Sequence, residues 1–163
     1  MAFRVFLSHS SKDDELLDMV ERRLKRNKFE PYAFEWDPRP GEYIPDKITD
    51  AIQDSHVVVV LLTQTASESA YVHQELGFAS AKDIPIIPLV EEGADRKLAM
   101  LDGIEYIPLE PAFPKPAIDE LLEELKERRK SKQTMTKAAI GVGAGLLWAL
   151  SQRRKPRNGP GHL

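Results

Sequence analysis

The chain predicts a doubly wound α/β fold of the flavodoxin-like class, a five-stranded parallel sheet with helices on both faces. Three observations predict it. Val57-Val58-Val59-Val60-Leu61-Leu62 is an unbroken apolar run, and a strand without a polar face belongs inside a sheet covered on both sides. Short apolar runs alternate with helical patterns over about 130 residues, the mark of βαβ units around a parallel sheet. Hydrophobic residues make up 42% of the 163, enough to bury a core and too many for a disordered chain.

The elements follow in order. Phe3-Arg4-Val5-Phe6-Leu7 reads as a first strand buried on both faces. Ser8-His9-Ser10-Ser11 is a polar turn, and Ser11 with Asp14 three residues on resembles a capping box. A helix is therefore expected over 12–28, with Leu16, Leu17, Val20 and Leu24 on one face. Tyr32-Ala33-Phe34 is a second strand. Two prolines and a glycine make Asp37 to Glu42 a loop. Pro45 suits the first turn of the next helix, which turns Ile48, Ala51 and Ile52 inward. His56 to Thr63 holds the central strand, and one helix is expected over 67–82. Ile84 to Val90 is a fourth strand, whose Pro85 and Pro88 argue for a place near the sheet edge. Ile104 to Leu109 is a weaker fifth. A last amphipathic helix carries Ile118, Leu121, Leu122 and Leu125.

Composition changes after Lys130, so the folded domain is expected over 1–130 and an extension over 131–163. Ala138 to Gln152 has no charge and is rich in glycine and alanine, with Lys137 before it and Arg153-Arg154-Lys155 after it. It falls short of the roughly 20 apolar residues of a spanning helix. Gly141 and Gly145 form a small-residue pair that can bring helices together, and the flanking cations suit an anionic membrane surface. A weak membrane association through 137–155 thus stands beside a tail of no fixed structure.

Several function classes drop out. The net charge of -3 gives no general attraction to nucleic acid. There is no cysteine, which removes disulfides and thiolate metal sites and fits a reducing cytosol. The first residues lack the apolar core of a signal peptide, so a cytoplasmic location is expected. His56 and His162 show no ligand spacing, and no metal site is expected. Neither a phosphate-cradling glycine loop nor the dinucleotide fingerprint follows the first strand. A nucleotide would therefore be a substrate at the sheet rim, and no cofactor is expected.

Ligands of such sheets bind outside the carboxyl ends of the strands. Three segments should meet there: Ser8-His9-Ser10, the loop Asp37 to Tyr43, and Gln64 to Glu75. Glu75 is the carboxylate to single out. Tyr71 lies one helical turn earlier on the same face, and Glu75 borders the stripe of Val72, Leu76 and Ala79. A half-sheltered carboxylate can hold sugar hydroxyls or stabilise a developing positive charge; a plain surface glutamate on an amphipathic helix has the same spacing. His9, at a strand terminus, could donate to a phosphate or carbonyl, or simply cap its turn.

These segments resemble the TIR (Toll/interleukin-1 receptor) family. Phe6-Leu7-Ser8-His9-Ser10 is similar to its first box, Arg39-Pro40-Gly41-Glu42 to the tip of its BB loop, and Val57 to Leu62 to its central strand. Tyr71-Val72-His73-Gln74-Glu75 resembles the Trp-x-x-x-Glu segment of the bacterial and archaeal-like members that cleave NAD, with Tyr71 where Trp is common. The resemblance covers roughly residues 3 to 125 and implies two functions. In one, the chain is an NAD+ glycohydrolase of signalling or defence, releasing nicotinamide with ADP-ribose or a cyclic ADP-ribose isomer. Glu75 would then be catalytic, with Phe6, Ser8, His9, Gly41, Tyr43 and Tyr71 binding substrate. In the other, it is a non-enzymatic scaffold that pairs with other TIR domains through the loop. Either way other TIR domains are the implied partners, with a homo-oligomer as the active form. A response regulator would need acids where Ser8-His9 and Thr63-Gln64 stand; a deoxyribosyltransferase, which also uses a glutamate, stays open.

Overall fold

The computed structural model describes residues 2–34, 46–97 and 99–152. Its elements run β1 (Phe3–Ser8), α1 (Asp14–Arg26), β2 (Phe29–Ala33), α2 (Asp46–Gln53), β3 (Val57–Leu62), α3 (Gln64–Ser67), α4 (Ala70–Ala81), β4 (Ile86–Glu91), β5 (Ile107–Leu109) and α5 (Lys115–Gln152). The strands form one five-stranded sheet in the order β2-β1-β3-β4-β5, and every pairing is parallel. This is the expected flavodoxin-like α/β architecture.

All six side chains of β3 are buried, as a strand between two helix layers requires. Because side chains alternate along a strand, Phe6, Val58, Val60 and Leu62 share one face. They pack there with Ile48 and Ile52 of α2 and with Tyr71, Val72, Leu76 and Ala79 of α4. Val5, Leu7, Val59 and Leu61 turn to the other face, the side of α1 and the start of α5. Arg23 of α1 is ion-paired with Asp119 of α5. With no glycine behind them, α1 and α4 end at Lys28 and Asp83 in the left-handed region, at φ 61 and 54°.

Several local expectations are corrected. Ser11 does not cap α1; the helix begins after Asp13, whose side chain makes no capping bond. The helix expected over 67–82 is α4, which starts later, at Ala70, and a short α3 that was not expected precedes it. Thr63 caps α3 by accepting the Ala66 N–H, and Ser69 caps α4 by accepting the Val72 N–H. Each hydroxyl residue satisfies an orphan donor of its own first turn. β4 lies next to the edge strand, near the sheet edge as its prolines argued. Pro88 pairs with Val60 of β3, while β5 begins only opposite Leu89. The proline's missing N–H therefore costs no ladder bond on the β5 side.

The chain divides into two compact units, Met1–Glu124 and Leu125–Leu163. The first holds the sheet. The second contains the continuation of α5 to Gln152, a regular helix where the glycine and alanine content left its structure open. Among the described residues no helix is long and apolar enough to cross a membrane.

Leu61 is fully buried, so Leu61→Ala removes core volume that the two helix layers cannot refill. Chemical denaturation should show a loss of about 2–5 kcal/mol.

Candidate functional site

The carboxyl ends of β1, β3 and β4 lie on one edge of the sheet, because all three run parallel. Hydrogen bonds tie their loops together. Thr63 Oγ1 donates to Asp13 Oδ2 across 2.7 Å while accepting the Ala66 N–H. The Gln64 backbone N–H donates to Glu91 Oε2 across 2.8 Å, and Gln64 Nε2 donates to the Glu92 carbonyl. The turn after β4 needs Gly93, whose φ is +85°; a Cβ there would also crowd Gln64 Nε2 at 3.1 Å.

At this edge β1 delivers Ser8 and α4 delivers Glu75. Ser8 Oγ donates to Glu75 Oε2 across 2.5 Å, joining residues 67 positions apart. Glu75 is only 1% exposed, so it lies deeper than its border position suggested. Among the described residues, Ser8 and Tyr71 are the groups that hydrogen-bond its carboxyl. Burial pushes the Glu75 carboxyl up to about 8, against hydrogen bonding from Ser8 and Tyr71, which favours the anion. The Tyr71 phenol is raised as well, first by burial and then by the neighbouring Glu75. A carboxyl group that ionises near neutrality at a sheet rim is suited to reversible charge development.

The remaining expected residues sort as follows. Phe6 lies in the same buried cluster as Tyr71, with its ring 6.0 Å from that of Tyr32. His9 is buried with Nδ1 3.4 Å from the Leu7 carbonyl; it acts electrostatically on Asp13. Among the described residues no contact brings it to Glu75. Gly41 and Tyr43 lie outside the described residues, as does the rest of the loop Asp37 to Tyr43. His73 serves the α3–α4 turn, its Nε2 2.7 Å from the Ser67 carbonyl. His56 belongs to the opposite edge, stacked on Phe3 at 4.7 Å and accepting the Arg4 N–H at Nδ1. Among the described residues no group of His, Asp and Glu could hold a metal ion.

Two residues escaped the sequence reading. Tyr32 is 41% exposed, stands opposite Phe6 in the β1–β2 register, and acts electrostatically on Tyr71. The alternation of its own strand was the available signal. Asp13 is the other. Burial raises its carboxyl above the usual range, with Thr63 and His9 opposing. Nothing local in the sequence joins Asp13 to Thr63.

A family model described as TIR domain matches residues 5–122. No curated protein matches the chain. Among solved structures, the TIR domains of the activated Roq1 resistosome directly recognizing the pathogen effector XopQ superpose with a TM-score of 0.59. They are 13% identical, over 76% of this chain and 99% of that one. The CMP N-glycosidase BcmB of Clostridium botulinum superposes with a TM-score of 0.52 at 25% identity, over 72% of this chain and 97% of that one.

The raised Glu75 carboxyl makes stability depend on pH. Folding favours the protonated form, so its contribution is full below the ordinary value of 4.5 and is lost as pH rises through about 8. Glu75→Gln cannot ionise. It should therefore be more stable than the parent chain at pH 9, by several kcal/mol at about 1.4 per pH unit, and should converge on it near pH 5. Denaturant midpoints across this range measure the difference.

Proposed function

The chain belongs to the TIR domain family, and from that premise we propose that it cleaves the nicotinamide–ribose bond of NAD+ in signalling or immunity. The observation that carries the reading is the buried Glu75 held beside Tyr71 at the carboxyl end of β1. An N-glycosidase of the same fold, acting on CMP by its name, supports glycosidic chemistry on this scaffold.

The chemistry asks little of the protein. The pyridinium of NAD+ is already a good leaving group, and the electron pair of the breaking bond returns to its ring nitrogen. Glu75 counters the charge growing on the ribosyl oxocarbenium. Phe6, Tyr71 and Tyr43 enclose the ring and exclude bulk water, while His9 and Gly41 complete the substrate side. Water then adds to the anomeric carbon and gives up a proton, yielding ADP-ribose. Attack by the adenine of the same molecule instead yields a cyclic isomer. No cofactor enters. At pH 7 the resting Glu75 is largely protonated, given its value of about 8. The bound pyridinium cation favours the anion and draws that value down. Assembly with further TIR domains belongs to the same reading, so turnover is expected to rise with protein concentration.

Incubation with NAD+ at high protein concentration and mass analysis of the products tests the proposal. Nicotinamide should appear, and Glu75→Ala should cut its release by about 100-fold or more with the melting transition retained. NAD+ left intact by a protein that binds another TIR domain would favour the scaffold role. The pH profile is a separate check. The acid limb of kcat/KM, which reports the free enzyme, should fall near pH 8, and that of kcat should lie lower because the cation is bound.

A further inference from the structure

We infer that Ser8 is a positioning residue for the reacting carboxylate: its hydroxyl, fixed at the end of β1, pins one oxygen of Glu75 in a single orientation at the sheet rim. The inference rests on the NAD+-cleaving reading for its use, though not for its measurement.

Four observations carry it. Ser8 is the last residue of β1 and is registered opposite Val60 of the central strand, so its backbone cannot drift. Its side chain is fully buried, and its one proton is committed to Glu75 Oε2 at 2.5 Å, the short end for a hydroxyl meeting a carboxylate. A committed hydroxyl cannot donate to a ribose at the same time, so Ser8 acts through Glu75. On the other side, α4 is anchored by the Ser69 cap and by Val72, Leu76 and Ala79. The bond therefore joins two rigid elements, and a three-torsion glutamate side chain loses its freedom before substrate arrives.

The groups that govern the ionisation of Glu75 among the described residues are few. Ser8 from β1 and Tyr71 from α4 both favour the anion, and Tyr32 from β2 acts on Tyr71 in turn. No cation among them takes part. Removing Ser8 Oγ thus withdraws one of two hydroxyl donors and leaves burial unchanged, so Glu75 should ionise at higher pH.

The test uses the full chain with carbon-13-labelled glutamate and assigns the Glu75 carboxyl by its loss in Glu75→Gln. In Ser8→Ala the titration midpoint should move up by about one pH unit. The acid limb of kcat/KM should move with it. At plateau pH, kcat should fall about tenfold with KM changed less than about threefold, as expected for lost orientation. A purely structural serine would lower the melting temperature and leave midpoint and profile in place; that result overturns the inference. A denaturation double-mutant cycle of Ser8→Ala with Glu75→Gln gives a second reading, with coupling expected at pH 9 well above that at pH 5. Equal coupling at both also overturns it. A moved midpoint in a protein that leaves NAD+ intact would keep the Ser8–Glu75 linkage and remove the NAD+ reading alone.

Discussion

The complete burial of β3 is the constraint on which the rest of the structure depends. Six consecutive side chains without a solvent face oblige the sheet to carry helices on both sides. The helices in turn oblige the connections to cross over, and parallel crossovers gather all carboxyl ends on one edge. The polar groups that the core cannot accept collect there: Ser8 after β1, Thr63 after β3 and Glu91 at the end of β4. The site is thus a consequence of a sheet that has no other place for them.

Glu75 is the exception, because it lies inside the packing. A buried carboxylate is costly without partners, and Ser8 and Tyr71 offset that cost only in part, which is why the group ionises near pH 8. The arrangement sets stability against charge: the fold is strongest when the acid is neutral, whereas stabilising a cation requires it charged. In the proposed cleavage of NAD+, the pyridinium would supply the missing opposite charge. The same carboxylate facing open solvent would be ionised from the start and would exert a weaker field, because water screens it.

Much of the fold was legible. Parallelism and the identity of the inward faces follow from apolar runs and from spacing, and Leu16, Val20, Ile48, Ile52 and Leu76 are all buried as their periodicity requires. Errors fell where one local signal overrode another. The break between α3 and α4 depends on Thr63 and Ser69 acting as separate caps, a choice that apolar periodicity cannot register. For the site, Glu75 and Tyr71 were readable as a pair one turn apart, while Tyr32 and Asp13 were not, because each is joined to the site through a different strand.

By itself the sequence determined which residues are inside and which strand is central, because burial follows from side-chain type and period. It also determined that an acid and an aromatic share one helical face near the rim. Only the tertiary structure decided how deep that acid sits and which hydroxyl holds it. Depth and partnership are set by the distance between α4 and the end of β1, and no spacing along a single chain segment encodes a distance between two.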